Sequence, residues 1–269
     1  MTFRTTHFIG SLLLATPVLL ALTGCGDRHV DRGPMVTETR DVGSFDSIAV
    51  RGAARIIVRV GTTQSVTIEG PEKSVRSLTT DVDGDTLYIR SSRKDWVFGS
   101  GESRLVVNVA LPSLDELRLE GSNDARLSGF NGGKSRIEIE GAANVEARGR
   151  LDKLTVHMQG AGRANLRELV ASEAKVIVDG VGTVHVNTTD SLDATMNGVG
   201  AILYSGTPRE VNTSMNGVGT ISKDRKSRSS DKDDDNWDAD PEPETKPVDP
   251  NTLQPEYEKD EVEKQEVSV

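Results

Sequence analysis

The sequence predicts an all-β chain built as a β-solenoid with coils of about 19 residues, and three observations carry that prediction. Glycines recur at Gly121, Gly141, Gly160, Gly180, Gly198 and Gly217, at intervals of 20, 19, 20, 18 and 19 residues. Apolar residues alternate with polar ones on both sides of each glycine, the period-two pattern of a strand with one buried face. Aromatics make up only 4% of the 269 residues while glycines number 26, a balance that suits a repetitive β-structure better than a helical bundle.

Taken from the start, residues 1–7 carry Arg4 and no acid, and Phe8 to Leu22 form the apolar run FIGSLLLATPVLLAL. The run is too short for a spanning helix and reads as a secretory h-region. It ends in Leu22-Thr23-Gly24-Cys25, and Cys25 is the sole cysteine of the chain. This stretch resembles the lipobox of bacterial lipoproteins. The resemblance implies cleavage between Gly24 and Cys25, and diacylglycerol plus an N-acyl chain on Cys25; several acyl chains give stable anchoring where one is marginal. Gly26, rather than Asp, follows the cysteine, which leans the implied address to the outer membrane. A lone cysteine also excludes an internal disulfide framework. Residues 26–40 are polar and without period, and read as a tether.

The repeats come next. Four residues before each corner glycine stand Leu117, Ile137, Val156, Val176, Ala194 and Thr213; two before stand Leu119, Ile139, Met158, Val178, Met196 and Met215. Four after stand Ala125, Val145, Ala164, Val184, Ile202 and Ile221. Each unit therefore holds two short strands with one inward face, which only stacking on a neighbour buries. The glycine reads as a corner at which backbone angles disfavour a Cβ. Gly52, with Ile48, Val50, Ile56 and Val58 around it, fits the same frame, and so does Gly70 after Val66 and Ile68. Thr86–Arg90 and Arg104–Pro112 read as strands. Ser91–Ser103 reads as a loop leaving the body, with Trp96 and Phe98 either making a contact site or tucking back. The competing arrangement is a set of local hairpins, because Asn-Gly is a two-residue turn signal, but only the last two units carry it.

Five segments, FDSIAVRGAARIIV (45–58), DVDGDTLYIR (81–90), LPSLDELRLEG (111–121), MNGVGAILYSGTP (196–208) and MNGVGTISK (215–223), resemble the family described as putative auto-transporter adhesin, head GIN domain. The likeness covers roughly residues 45–223 and implies a right-handed parallel β-helix-like fold in a bacterial envelope lipoprotein, with no established activity and no catalytic residues. Corners in that family commonly read Ser-Gly-Ser-Gly. Here the residue before the glycine is Glu120, Glu140, Gln159, Asp179, Asn197 or Asn216.

Those six residues form a predicted polar ladder, in which stacked amides bond along the coil axis. Glu120 and Glu140, about 5 Å apart by strand spacing, repel each other, and either a bound Ca²⁺ or a neighbouring Arg118 or Arg136 relieves this. His157 and His185 lie in different outward columns, so no shared metal is expected, and no cofactor is implied. Paired acids with a recurring basic partner, which glycoside cleavage would need, are absent from the pattern, and the chain is read as a non-enzyme.

Net charge is −10, which argues against nucleic acid as a partner. From Lys223 onward 16 Asp/Glu face 8 Lys/Arg, a net of −8, leaving −2 for residues 1–222. This proline-rich acidic tail has too little apolar surface to fold and is read as disordered; it solubilises, meets a cationic partner, or blunts the last exposed coil. The predicted organisation is a signal peptide (1–24), a lipid-anchored tether (25–44), a solenoid (45–223) and the tail (224–269). The functional expectation is a lipid-anchored envelope protein whose surface adheres to a polysaccharide, other polymer or envelope protein. A periplasm-facing structural or sensing lipoprotein is the alternative, and a carbohydrate-active enzyme on a β-helix the more distant one.

Overall fold

The computed structural model describes residues 34–91 and 105–224. Cys25, Gly24, Trp96, Phe98 and the acidic tail lie outside the described residues.

The described chain is nearly all β, with a solenoid of about 5 turns whose coils lie about 20 residues apart in sequence. Its strands are β1 (Met35–Arg40), β2 (Ser47–Val60), β3 (Ser65–Pro71), β4 (Leu78–Asp83), β5 (Thr86–Ser91), β6 (Val106–Leu111), β7 (Glu116–Asn131), β8 (Lys134–Ile139), β9 (Ala142–Met158), β10 (Ala161–Val178), β11 (Val181–Met196), β12 (Val199–Gly206), β13 (Glu210–Met215) and β14 (Val218–Lys223); a six-residue helix α1 (Glu72–Ser77) interrupts them.

From β2 onward the coils stack in parallel. β2 pairs β7 with Gly52 opposite Gly121, β7 pairs β8 and β9, and β9, β10 and β11 follow in turn. β12 and β13 lie on β11, and β14 on β12. Residues two and four before the glycines, and four after them, pack inward: Leu119, Ile139, Met158, Val178, Ala125, Val145, Ala164 and Val184 are all buried. A third inward set closes each coil, and Phe130, Leu151 and Leu169 supply it. The register slips beside these residues, between Leu127 and Phe130 and between Asn165 and Glu168, so each long strand bulges on its way round. The buried Thr188 hydroxyl sits in one such bulge, 3.0 Å from the carbonyl oxygens of both Ser172 and Ser191.

The N-terminal end departs from the predicted frame. β5 and β6 together form a coil beneath β2, both pairing it in parallel. Beyond them the sheet turns antiparallel: β4 on β5, β3 on β6, β1 on β3. Gly70 therefore lies at the end of an antiparallel strand and not in the glycine stack. Only β4 and β5 are joined by a tight return, Asp83 to Thr86, the kind of connection that gives an antiparallel pair; β3 meets β1 and β6 across longer stretches of chain. Part of the expected tether is likewise β1. Its polar sequence MVTETR suits an edge strand half in solvent, tied by Arg40 Nη2 donating to Val75 O at 3.1 Å. α1 starts after Pro71 and buries Val75, and Leu78 follows it into the core.

Candidate functional site

The repeated Asn-Gly-Val-Gly segments lie on one corner of the solenoid, and four neighbouring columns of residues give that corner its chemistry. The first is the stack of glycines. Gly52 and Gly121 have φ of 120° and 100°, a region that disfavours side chains. For the other glycines the reason differs from the one the sequence suggested. Gly141, Gly160, Gly180, Gly198 and Gly217 are absent from the positive-φ set, yet a Cβ on Gly160 would overlap the carbonyl oxygen of Gly141, and one on Gly198 would overlap that of Gly180. What excludes a side chain is the close approach of one coil's backbone to the next, so the requirement is imposed by the stack and not by the turn.

The second column precedes the glycines and is chemically split. In its lower part the carboxylates meet arginines: Arg51 Nε is 2.7 Å from Glu120 Oε2, and Arg118 Nε is 3.8 Å from Glu140 Oε1. Arg118 also holds Glu116 at 2.7 Å and Glu138 at 3.0 Å, while Arg136 reaches Glu138 at 3.3 Å and not the column itself. Charge neutralisation by these side chains accounts for the acid pair. Among the described residues no group of three or more His, Cys, Asp or Glu converges as a metal site.

In the upper part the side chains bond to one another. Gln159 Nε2 lies 3.3 Å from His157 Nδ1, and His157 Nε2 lies 2.7 Å from Asp179 Oδ2. Asn197 Nδ2 donates to Asp179 Oδ1 at 2.7 Å, and Asn216 Nδ2 donates to Asn197 Oδ1 at 3.0 Å. The hydrogen bond from His157, then that from Asn197, holds the Asp179 carboxyl below the usual carboxylate range. His157 thus enters the ladder from the neighbouring outward position. His185 is elsewhere and mostly buried, with Nε2 3.5 Å from Arg167 Nη2 and Nδ1 3.5 Å from Asp224 Oδ2. Burial first, and Arg167 second, push its pKa down.

The third column follows the glycines and escaped the sequence reading. Ala142, Ala161, Val181, Val199 and Val218 stand one above another, and the three valines are 57%, 49% and 70% exposed. The signal was present: these valines sit one residue after the glycine, an odd offset and so an outward one, whereas the apolar core positions within six residues of Gly121, Gly141, Gly160 and Gly180 have even offsets. The fourth column, Gly162, Gly182, Gly200 and Gly219, is again bare, because a Cβ on Gly200 would overlap the carbonyl oxygen of Gly182. The corner is therefore a valine ridge between two glycine gutters, bordered by a hydrogen-bonded row of amide and carboxylate side chains.

Away from this corner, a shallow cleft of about 280 Å³ opens among Asn131, Gly132, Arg150, Leu151, Asp152, Val170, Ser172 and Thr189. Its one carboxylate, Asp152, accepts a bond from Gly133 N at 2.8 Å. No helix among the described residues is long and apolar enough to cross a membrane.

Comparison with known proteins gives the following. The model of the family described as "Putative auto-transporter adhesin, head GIN domain" matches residues 44–208. A solved structure titled a putative adhesin, from Bacteroides fragilis NCTC 9343, aligns with a TM-score of 0.55 at 23% identity, covering 71% of this chain and 97% of that one. Two from Parabacteroides distasonis ATCC 8503 align more loosely. One is titled a putative lipid binding protein, with a TM-score of 0.36 at 21% identity, covering 72% of this chain and 98% of that one. The other is titled a putative adhesin, with a TM-score of 0.40 at 17% identity, covering 71% and 98%. The likeness to the first is one of fold. No curated protein matches.

Proposed function

The chain belongs to the putative auto-transporter adhesin, head GIN domain family, and from that membership we propose that it is a non-enzymatic envelope lipoprotein, lipid-anchored at Cys25 and directed to the outer membrane, that adheres through the valine-ridged corner to an extended polymer of the envelope or its surroundings. The observation that carries this reading is the corner itself. Exposed valines recur on three successive coils, at Val181, Val199 and Val218, beside amide and carboxylate groups, at the strand spacing of about 4.8 Å. A regular row of this kind offers the same contact many times over, which suits a repeating linear partner such as a polysaccharide. Its apolar strip covers the carbon faces of the units and its polar row meets their hydroxyls. The bare gutters let such a partner reach backbone without meeting a side chain.

Two experiments test it. Protease shaving of intact cells asks which way the protein faces; removal by external protease supports adhesion, and survival until the envelope is permeabilised would replace it with a periplasm-facing scaffold or sensor. Co-sedimentation with insoluble envelope and extracellular polysaccharides asks about the corner. Val199→Asp, placed on the exposed ridge, is expected to reduce binding about tenfold or more at unchanged melting temperature. Equal binding by this variant would remove the corner from the proposal.

A further inference from the structure

Beyond the valine ridge, basic side chains gather on the outward side of the strands that follow the glycines. Arg163 stands two residues past the ridge position Ala161, about 7 Å along β10. It is exposed and, among the described residues, in no ion pair. Arg167 follows on the same strand. Between them in sequence lies Asn165, and His185 of β11 is its partner in register. His185 has an odd offset from Gly180 and so an outward place, yet it is only 9% exposed, because neighbouring side chains cover it. Burial first, then Arg167 and more weakly Arg163, lower its pKa against the opposing effect of Asp224, so both guanidinium groups act on one imidazole. What these groups face is a carboxylate. Asp224 Oδ2 lies 2.8 Å from Arg167 Nε and 3.5 Å from His185 Nδ1, and the Asp224 N–H donates to Tyr204 O at 2.6 Å.

We propose that Arg163, Arg167 and His185 form a carboxylate-binding site for the acidic units of a uronic-acid polysaccharide, and that Asp224 is its built-in competitor. The inference rests on the reading of the corner as a polymer-binding surface and gives that polymer its chemistry. The bond to Asp224 shows that the site accepts a carboxylate, and a guanidinium is the side chain whose planar fork suits one. Arg163 adds a second cation on the side nearer the ridge, so a chain lying along Val181 and Val199 brings its acidic substituents within reach. Asp224 holds its place by a partly exposed ion pair, with side chains 46% and 20% exposed, and such pairs are weak enough to be exchanged. Two carboxylates at this distance repel each other, so an incoming one and Asp224 exclude one another. A polymer competes well because it offers the same group many times and gains further contacts on the ridge, whereas a free sugar acid does neither.

The test is binding of the full chain to polygalacturonate, with the fully methyl-esterified polymer as the uncharged control and monomeric galacturonate as the free-acid control. Polygalacturonate is expected to bind about tenfold or more tighter than either, by a margin that shrinks at high salt. Asp224→Asn and Asp224→Ala are each expected to tighten that binding about three- to tenfold by vacating the site, while Arg163→Gln weakens it about tenfold at unchanged melting temperature. Binding of the ester is expected to change in none of them. If Asp224 were only a fastening of the last coil, its removal would loosen binding or leave it alone; either result overturns the proposal, as does equal binding of the two polymers. Galacturonate that binds as tightly as its polymer overturns it in favour of a small carboxylate. In each case a loss caused by Val199→Asp leaves the corner reading standing, and the absence of such a loss removes that reading as well.

Discussion

A glycine in this protein answers to the backbone above and below it more than to its own dihedral angles. Gly160→Ala puts a methyl group into the carbonyl of Gly141, where the neighbour is backbone and cannot step aside. The expected cost is about 1–3 kcal/mol, read as a lower urea midpoint with unchanged slope. Asp179 gives a second prediction at this scale. Its folded pKa lies below the ordinary carboxylate value of about 3.9 because His157 and Asn197 hydrogen-bond its charged form. The stabilisation is therefore present above that ordinary value and is lost as pH falls through the lower folded value. Asp179→Asn is expected to flatten the fall in melting temperature below about pH 4, by a small margin because the carboxylate is 39% exposed.

Elements here are defined by their neighbours one coil away. Val178 sits in an inward column between Met158 and Met196, and it is 0% exposed. Val178→Asp strands a charge with no partner in the stack, so a loss of about 4 kcal/mol or more is expected, visible as an unfolded far-UV spectrum or a collapsed melting temperature. Asn197→Ala cuts the amide row in its middle and removes bonds to Asp179 and Asn216 at once. Because those groups remain in contact with water, the expected cost is only about 0.5–1 kcal/mol in a denaturant titration. The contrast follows from position: inward columns are shielded on both sides, while the ladder stands in solvent.

Across the whole solenoid, regularity and finish are separate problems. The repeat builds the length, but it supplies no terminus, and the two ends among the described residues are finished differently. α1 and the antiparallel strands close one end with residues from outside the repeat. The opposite end exposes Val211 and Met215 because the inward pattern simply stops. A chain ending at Asp224 is accordingly expected to associate as its concentration rises, read by light scattering, and Met215→Asp is expected to keep it monodisperse. A monodisperse truncated chain would show that the open coil is harmless.

The sequence by itself determined the repeat. Corner glycines at near-constant intervals, with apolar residues at even offsets, leave few ways to bury one face other than stacking coil on coil. The same arithmetic placed Gln159, Asp179, Asn197 and Asn216 in one column, and with hindsight it also places Val181, Val199 and Val218 facing out. The tertiary structure alone decided what depends on distant partners. Gly52 lies on Gly121 although 69 residues separate them, and β5 with β6 slips beneath β2 against the chain order. His157 turns toward Asp179 in the next coil, and Arg51 takes up the carboxylate of Glu120. No local period encodes such contacts, because each joins side chains whose separation along the chain says nothing of their separation in space.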